Sequence, residues 1–275
     1  MWTIAKLSVQ EMIRKKVFLV TMILTGIFLF VYGLGLHIAF KDGGDNLIVK
    51  TVIFTQLLSA GLYMASFIVA FLVLFTAVGS ISTELENGTL QTIVVKPIKR
   101  WEIIVGKYLG MGMVIAVYSI FFFLVIIALN RQISLPALNL IRSLGIFCLQ
   151  GLVFLSLVLL GSTVFTTLNN GIIMVILYGI GMIGGIVEQV GNLIGKEALI
   201  NLGIVTSLVV PFDSLYRKML YTLFSASDLG QLNLFTQQGP FGVGSQPSVW
   251  MMVYVLIYGS LALYGAARIF TRKDI

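Results

Sequence analysis

The side chains able to make or break bonds are few in this sequence, and their spacing assembles no catalytic site. There is one histidine, His37, and one cysteine, Cys148. A His/Cys zinc site within one chain is therefore excluded, and the carboxylates do not cluster at metal-ligand spacing. Cys148 lies inside an apolar segment, where it reads as packing with no intrachain disulfide open to it. His37 reads as an interfacial polar residue. The phosphate-cradling pattern G-x-x-x-x-G-K-[ST] is absent, because Gly106-Lys107 and Gly195-Lys196 both lack the upstream glycine and the following Ser or Thr. With no nucleophile beside a base, an intramembrane hydrolase has little support. The sequence predicts no enzyme, no cofactor and no metal in this chain.

The polar residues can instead line a path or a seam. Gln56, Ser59, Tyr63 and Ser66 recur at intervals of three and four, which sets them on one face of a helix in an otherwise apolar segment. Farther on, Gly171, Met174, Tyr178, Gly181, Gly185, Glu188 and Asn192 keep that alternation, and the small-xxx-small pair Gly181 and Gly185 invites close approach of another helix. Each face serves either as the lining of a substrate path or subunit seam, or as ordinary helix packing. Glu188 is the acid of the second stripe. It sits about 25 Å along its helix from Gly171, at roughly 1.5 Å per residue, and so near the outer boundary. It is expected to be a solvated or helix-end carboxylate outside the hydrocarbon; the alternative is a gate at an outer exit.

A third group is mechanical. Residues 84 to 107 form a charged hinge between two apolar segments: Glu86-Asn87-Gly88-Thr89-Leu90, an apolar turn through Val95, the break Lys96-Pro97-Ile98-Lys99-Arg100, then Trp101-Glu102 running into Gly106-Lys107. Pro97 stops a helix at its predecessor and Gly88 marks the start, so Thr89 to Val95 is predicted to be a short helix lying across the membrane axis. Leu90, Ile93, Val94 and Val95 are apolar enough to need a partner surface, ringed by Lys96, Lys99 and Arg100. That is the pattern of a docking element; the alternative is a helix resting in lipid headgroups.

The elements that must position these groups are membrane helices. With 58% hydrophobic and 11% charged residues in 275, the chain lies far outside soluble composition and is an integral membrane protein. Six segments are long and apolar enough to span: roughly 17–38, 51–82, 104–129, 138–168, 171–193 and 249–268. The first, about 20 residues long and lacking small cleavage-site residues, reads as a retained span and not a signal peptide. If the N-terminus is inside, the inner side carries 11 basic and five acidic residues against seven and six outside. The positive-inside rule then places both termini in the cytoplasm. It also accounts for the net charge of +7 without a nucleic-acid groove. Residues 1–16 read as an amphipathic interfacial helix with Trp2, Ala5, Val9, Met12 and Ile13 on one face. Residues 194–248 form a long outer segment. Its apolar run Leu199–Val210 is too short to span and reads as a re-entrant or interfacial helix, Pro211 opens a short helix to Phe224, and a Gly/Gln/Pro-rich stretch from Gln237 to Ser248 follows. The expected fold is all-α: six transmembrane helices in one permease domain, with the hinge, 84–103, between the second and third.

The run Glu84-Leu85-Glu86-Asn87-Gly88-Thr89-Leu90 with Lys96-Pro97-Ile98-Lys99-Arg100-Trp101-Glu102-Ile103-Ile104-Val105-Gly106-Lys107 resembles the cytoplasmic loop of ABC transporter permease subunits of the type-2 exporter class. The likeness extends over the whole chain: the N-terminal amphipathic helix, the Pro-Phe-Asp-x-x-Tyr-Arg segment before the last span, and the basic tail Arg272-Lys273-Asp274-Ile275. A fused ATPase domain is missing. The resemblance therefore implies half of a transporter in the cell membrane, a type V exporter-like fold in which two permease copies or two related chains form the path among membrane lipid. Two separate cytoplasmic ATPase subunits, holding ATP and Mg, would dock beneath. It implies that the N-terminal helix is the connecting helix, that Thr89–Val95 is the coupling helix, and that spans two and five lie nearest the dimer axis. The competing reading is an ATPase-independent channel or membrane assembly protein. The substrate stays open among lipids, hydrophobic drugs, antimicrobial peptides and a small ion.

Overall fold

The computed structural model describes residues 1–42, 47–88, 99–131, 135–225 and 248–273. Among these are ten helices: α1 (Trp2–Arg14), α2 (Lys16–Asp42), α3 (Leu47–Ala77), α4 (Ser82–Glu86), α5 (Arg100–Leu129), α6 (Ala137–Val164), α7 (Thr167–Ile194), α8 (Glu197–Val209), α9 (Phe212–Phe224) and α10 (Val249–Arg272). Six of them, α2, α3, α5, α6, α7 and α10, are long and apolar enough to cross a bilayer. A helix satisfies its own backbone, which lipid cannot do, so apolar sequence of this length settles into helices.

Burial separates the spans by role. In their most apolar windows 67% of α3 and of α6 is buried, against 17% of α2 and α10, so α3 and α6 are the central posts and the other two lie at the rim. Helix α1 packs along the start of α5 through Ala5, Ser8 and Met12. The fit depends on Gly106 and Gly110, where an added Cβ would meet Ile4 and the backbone of Ala5. The predicted apolar face of α1 is thereby divided: Ala5 and Met12 are covered, while Trp2 is 76% exposed beside exposed Ile13.

Both ends of the chain meet the hinge. The N-terminal ammonium lies 3.8 Å from Glu102, and the Arg100 guanidinium donates to the Lys273 carbonyl. The N-terminus, Lys273 and the start of α5 therefore share one side of the bundle. On the opposite side, α7 stops at Gly195, whose φ of +72° is left-handed. The chain then turns back through α8 and α9, which meet at 103° across Val210-Pro211. The apolar run before Pro211 is thus a helix too short to span that bends sharply into the next to form a hairpin, as its length and Pro211 lead one to expect. The predicted second span, 51–82, is shorter as a helix: α3 ends at Ala77, and Val78–Ile81 turn before α4 begins. Hydropathy runs through that break because its residues are apolar or small.

Candidate functional site

The break at Val78–Ile81 is held by side chains from three other helices. A chain end inside a bundle leaves carbonyl and amide groups without helical partners. Here the Ser162 Oγ of α6 accepts from the Ile81 and Ser82 amides at 3.0 and 3.1 Å. The Asn170 amide of α7 donates to the Val78 carbonyl at 2.9 Å and to the Val158 carbonyl at 3.1 Å. Lys107 of α5, 4% exposed, reaches the Ser80 carbonyl and pairs with Glu84 of α4 at 2.7 Å. Lys15, just past α1, donates to the Thr76 carbonyl at 2.9 Å. The lysine of the Gly106-Lys107 pair is thus a cap on the broken second span, beside the glycine that admits α1.

Gly88, with φ of +68°, closes α4, and Glu86 is exposed just before it. Thr89, Leu90, Ile93, Val94 and Pro97 lie outside the described residues, as does the predicted helix Thr89–Val95. What the structure gives for the 84–103 loop is its two stems, α4 and the start of α5, tied together by Lys107 and Glu84.

The two polar stripes converge on the hairpin of the same chain. From α3, the Ser59 carbonyl accepts from the Tyr216 hydroxyl at 2.7 Å. Tyr63 packs edge-on against the Tyr216 ring at 5.0 Å. Ser66 donates to Gln150 at 3.2 Å, and Gln150 in turn donates to the Phe212 carbonyl at 3.2 Å. Gln56 is half-buried one turn above. From α7, Tyr178 packs against Phe212 and Phe154, each at 5.6 Å. A Cβ on Gly181 would come within 2.8 Å of Val210, and one on Gly185 would strike the Asp213 carboxylate. Met174 and Gly171 are exceptions: Met174 is buried against Gly161 of α6, and a Cβ on Gly171 would meet Val78. The close approach expected of Gly181 and Gly185 is therefore an approach to the hairpin.

The broken backbone of the hairpin is satisfied in the same way as the break at Val78–Ile81. Tyr254 and Tyr258 of α10 donate to the Leu208 and Val209 carbonyls at the end of α8, the latter at 3.0 Å, while Ser143 of α6 ties α9 itself by donating to the Met219 carbonyl at 3.1 Å. Non-helical backbone at membrane depth persists only when protein groups replace water in this manner.

Glu188 corrects the sequence expectation. It is not solvated: it is 6% exposed and receives the Arg217 guanidinium through two bonds of 2.6 Å, Nη1 to Oε1 and Nη2 to Oε2. The Arg217 Nε lies 2.8 Å from Asp213 Oδ2. Asp213 is 6% and Arg217 1% exposed, so this is a three-membered charge cluster sealed inside the protein. An acid that looks costly on one helix is paired by a residue 29 positions later on another. Asp213 and Arg217 were not singled out as site residues from sequence. Their signal was available, a spacing of four that puts both on one face of a short helix, with an intramembrane acid elsewhere in need of a partner.

Six helices long and apolar enough to span, with two side-chain-capped breaks among the described residues, define a polytopic membrane protein. The sequence matches the family model for ABC-2 family transporter proteins over residues 2–275, and the chain belongs to that family. It is the membrane permease component of an ABC transporter, a class that works with an ATP-binding partner. No curated protein matches it.

Proposed function

We propose that this chain is half of an exporter, paired with a second copy or a related chain in the cell membrane and driven by two ATPase subunits docked on the 84–103 loop. Both termini and that loop face the cytoplasm, as the excess of basic residues on their shared side favours. ATP and Mg belong to the docked subunits. The observation that carries the proposal is the joint at Val78–Ile81: the first stem of the loop, Val78 to Glu86, is fastened by Lys107, Ser162 and Asn170 to α5, α6 and α7. A push on the loop enters three spans at once. Spans α6 and α7 in turn hold the outer hairpin, through Gln150, Ser143 and Glu188.

Closure of the ATPase pair then changes which side of the membrane the path faces, provided the two permease states differ in their affinity for the closed ATPase; a ligand shifts an equilibrium only by that difference. Gln56, Ser59, Tyr63 and Ser66 with Tyr178, Gly181, Gly185 and Glu188 form the wall that this motion rearranges. Purifying the tagged chain in mild detergent should bring down an ATPase with a Walker motif in equal number. Leu90→Asp with Ile93→Asp should release it while the permease stays folded. A chain that elutes alone at low salt, or a variant that keeps both its ATPase and wild-type transport, removes the proposal.

A further inference from the structure

We infer that the space around Asp213 and Tyr178 is a site for a lipophilic primary amine, its ammonium head in a small cavity beside Asp213 and its apolar body in the adjoining cleft between α3 and α7. This rests on the permease reading above and names its substrate class. The cavity has a volume of about 20 Å³ and is lined by Tyr63, Ser66, Gln150, Asp213 and Tyr216. That is room for one water-sized group. Tyr178 forms part of its wall and also lines a second, almost wholly apolar cleft of about 90 Å³ with Phe67, Ala70, Phe71, Leu74 and Val175.

Charge decides the head. Arg217 carries one positive charge and spends the end of its guanidinium on both oxygens of Glu188. Asp213 is the second carboxylate on the same cation, so the triad has a formal excess of one negative charge. Asp213 is also the member that borders the cavity, whose described lining contains no Lys, Arg or His. A net charge held out of water is costly unless a proton or a counter-charge joins it, and an ammonium supplies both the counter-charge and the donors. The rings of Tyr63, Tyr178, Phe212 and Tyr216 around the cavity offer a cation further attraction. Size decides the kind of cation. A primary ammonium is close to water in volume and brings three donors for Asp213, Ser66 and Gln150. A trimethylammonium is several times larger and brings none. An anion meets Asp213 head-on, and an alcohol leaves the excess charge in place.

The test uses the full chain in lipid nanodiscs at neutral pH, titrated calorimetrically with octylamine, octyltrimethylammonium and octanol, with empty nanodiscs subtracted. Octylamine should bind saturably, one per chain, while the other two only partition into lipid. Asp213→Asn should weaken octylamine binding about tenfold or more. Ala70→Phe, which fills the cleft and leaves the charges alone, should do the same and carries the test if the Asp213 variant does not fold. No saturable octylamine binding, equal saturable binding of octanol, or full binding by Ala70→Phe overturns the inference. Co-purification of an ATPase is scored separately: if it succeeds and the amine fails, only the substrate class falls, and if it fails, the permease reading falls whatever the amine does.

Discussion

Replacing Arg217 by Met tests whether the buried triad holds the outer hairpin in place. The substitution roughly keeps the side chain's bulk but removes the one cation, leaving Glu188 and Asp213, each 6% exposed, facing each other in the interior. Breaking a buried ion pair from one side costs about 3–5 kcal/mol, because the remaining charge keeps its desolvation penalty and loses its partner. Two carboxylates are stranded here, so the loss should sit at the upper end of that range. Arg217→Lys keeps the charge but cannot repeat the two-pronged bond to Glu188, and should cost about 1–2 kcal/mol. The decisive variant is the triple Glu188→Met, Asp213→Leu, Arg217→Met. If the penalty is electrostatic, removing all three charges restores stability to within about 1–2 kcal/mol of wild type, since apolar replacement of a whole buried cluster is near neutral. Equilibrium unfolding in mixed micelles measures all three. A second readout places a cysteine at Thr206 in a Cys148→Ala background and follows its labelling rate, which should rise in Arg217→Met and fall back in the triple variant. Arg217→Met as stable as wild type, or a triple variant as damaged as the single one, would refute the reasoning.

Three further outcomes follow from packing and capping. Gly185→Ala puts a methyl on the Asp213 carboxylate and should cost about 1–3 kcal/mol. Gly179→Ala, where a Cβ meets nothing within 4 Å, should be neutral or slightly stabilising, so equal effects in the same unfolding assay would count against the hairpin contact. Gly110→Leu drives a side chain into the Ala5 backbone and should detach α1 from α5, seen as faster proteolysis within residues 1–16 with the spans intact. Lys107→Met strands the Ser80 carbonyl and Glu84. It should cost about 2–4 kcal/mol. It should also lower transport per ATP hydrolysed in the assembled transporter, and adding Glu84→Gln should recover part of the stability but not the coupling; undiminished coupling in Lys107→Met removes the joint from the transmission route.

How much of this was legible in the sequence depends on whether a feature belongs to one helix or to two. The six spans were readable because a bilayer imposes a length and a composition that each segment meets alone. The hairpin was readable for the opposite reason: Leu199–Val210 is apolar yet too short, and Pro211 ends it. The stripes were readable as faces but not as contacts, since periodicity tells which residues of a helix look the same way and not what they look at. Glu188 shows the cost of that limit. On α7 alone its position near the helix end argued for water, and only the arrival of Arg217 from α9 makes burial affordable. The break at Val78–Ile81 was hidden for a related reason. A hydropathy window sees apolar residues on both sides of it, while the groups that make the break tolerable, Ser162, Asn170 and Lys107, come from three other helices. Among the described residues the breaks at Val78–Ile81 and at Val210-Pro211 are both stabilised from outside their own segment. The places where single-helix reasoning fails are therefore the places where one helix is mechanically answerable to another, and a transporter needs such places to carry a movement from one face of the membrane to the other.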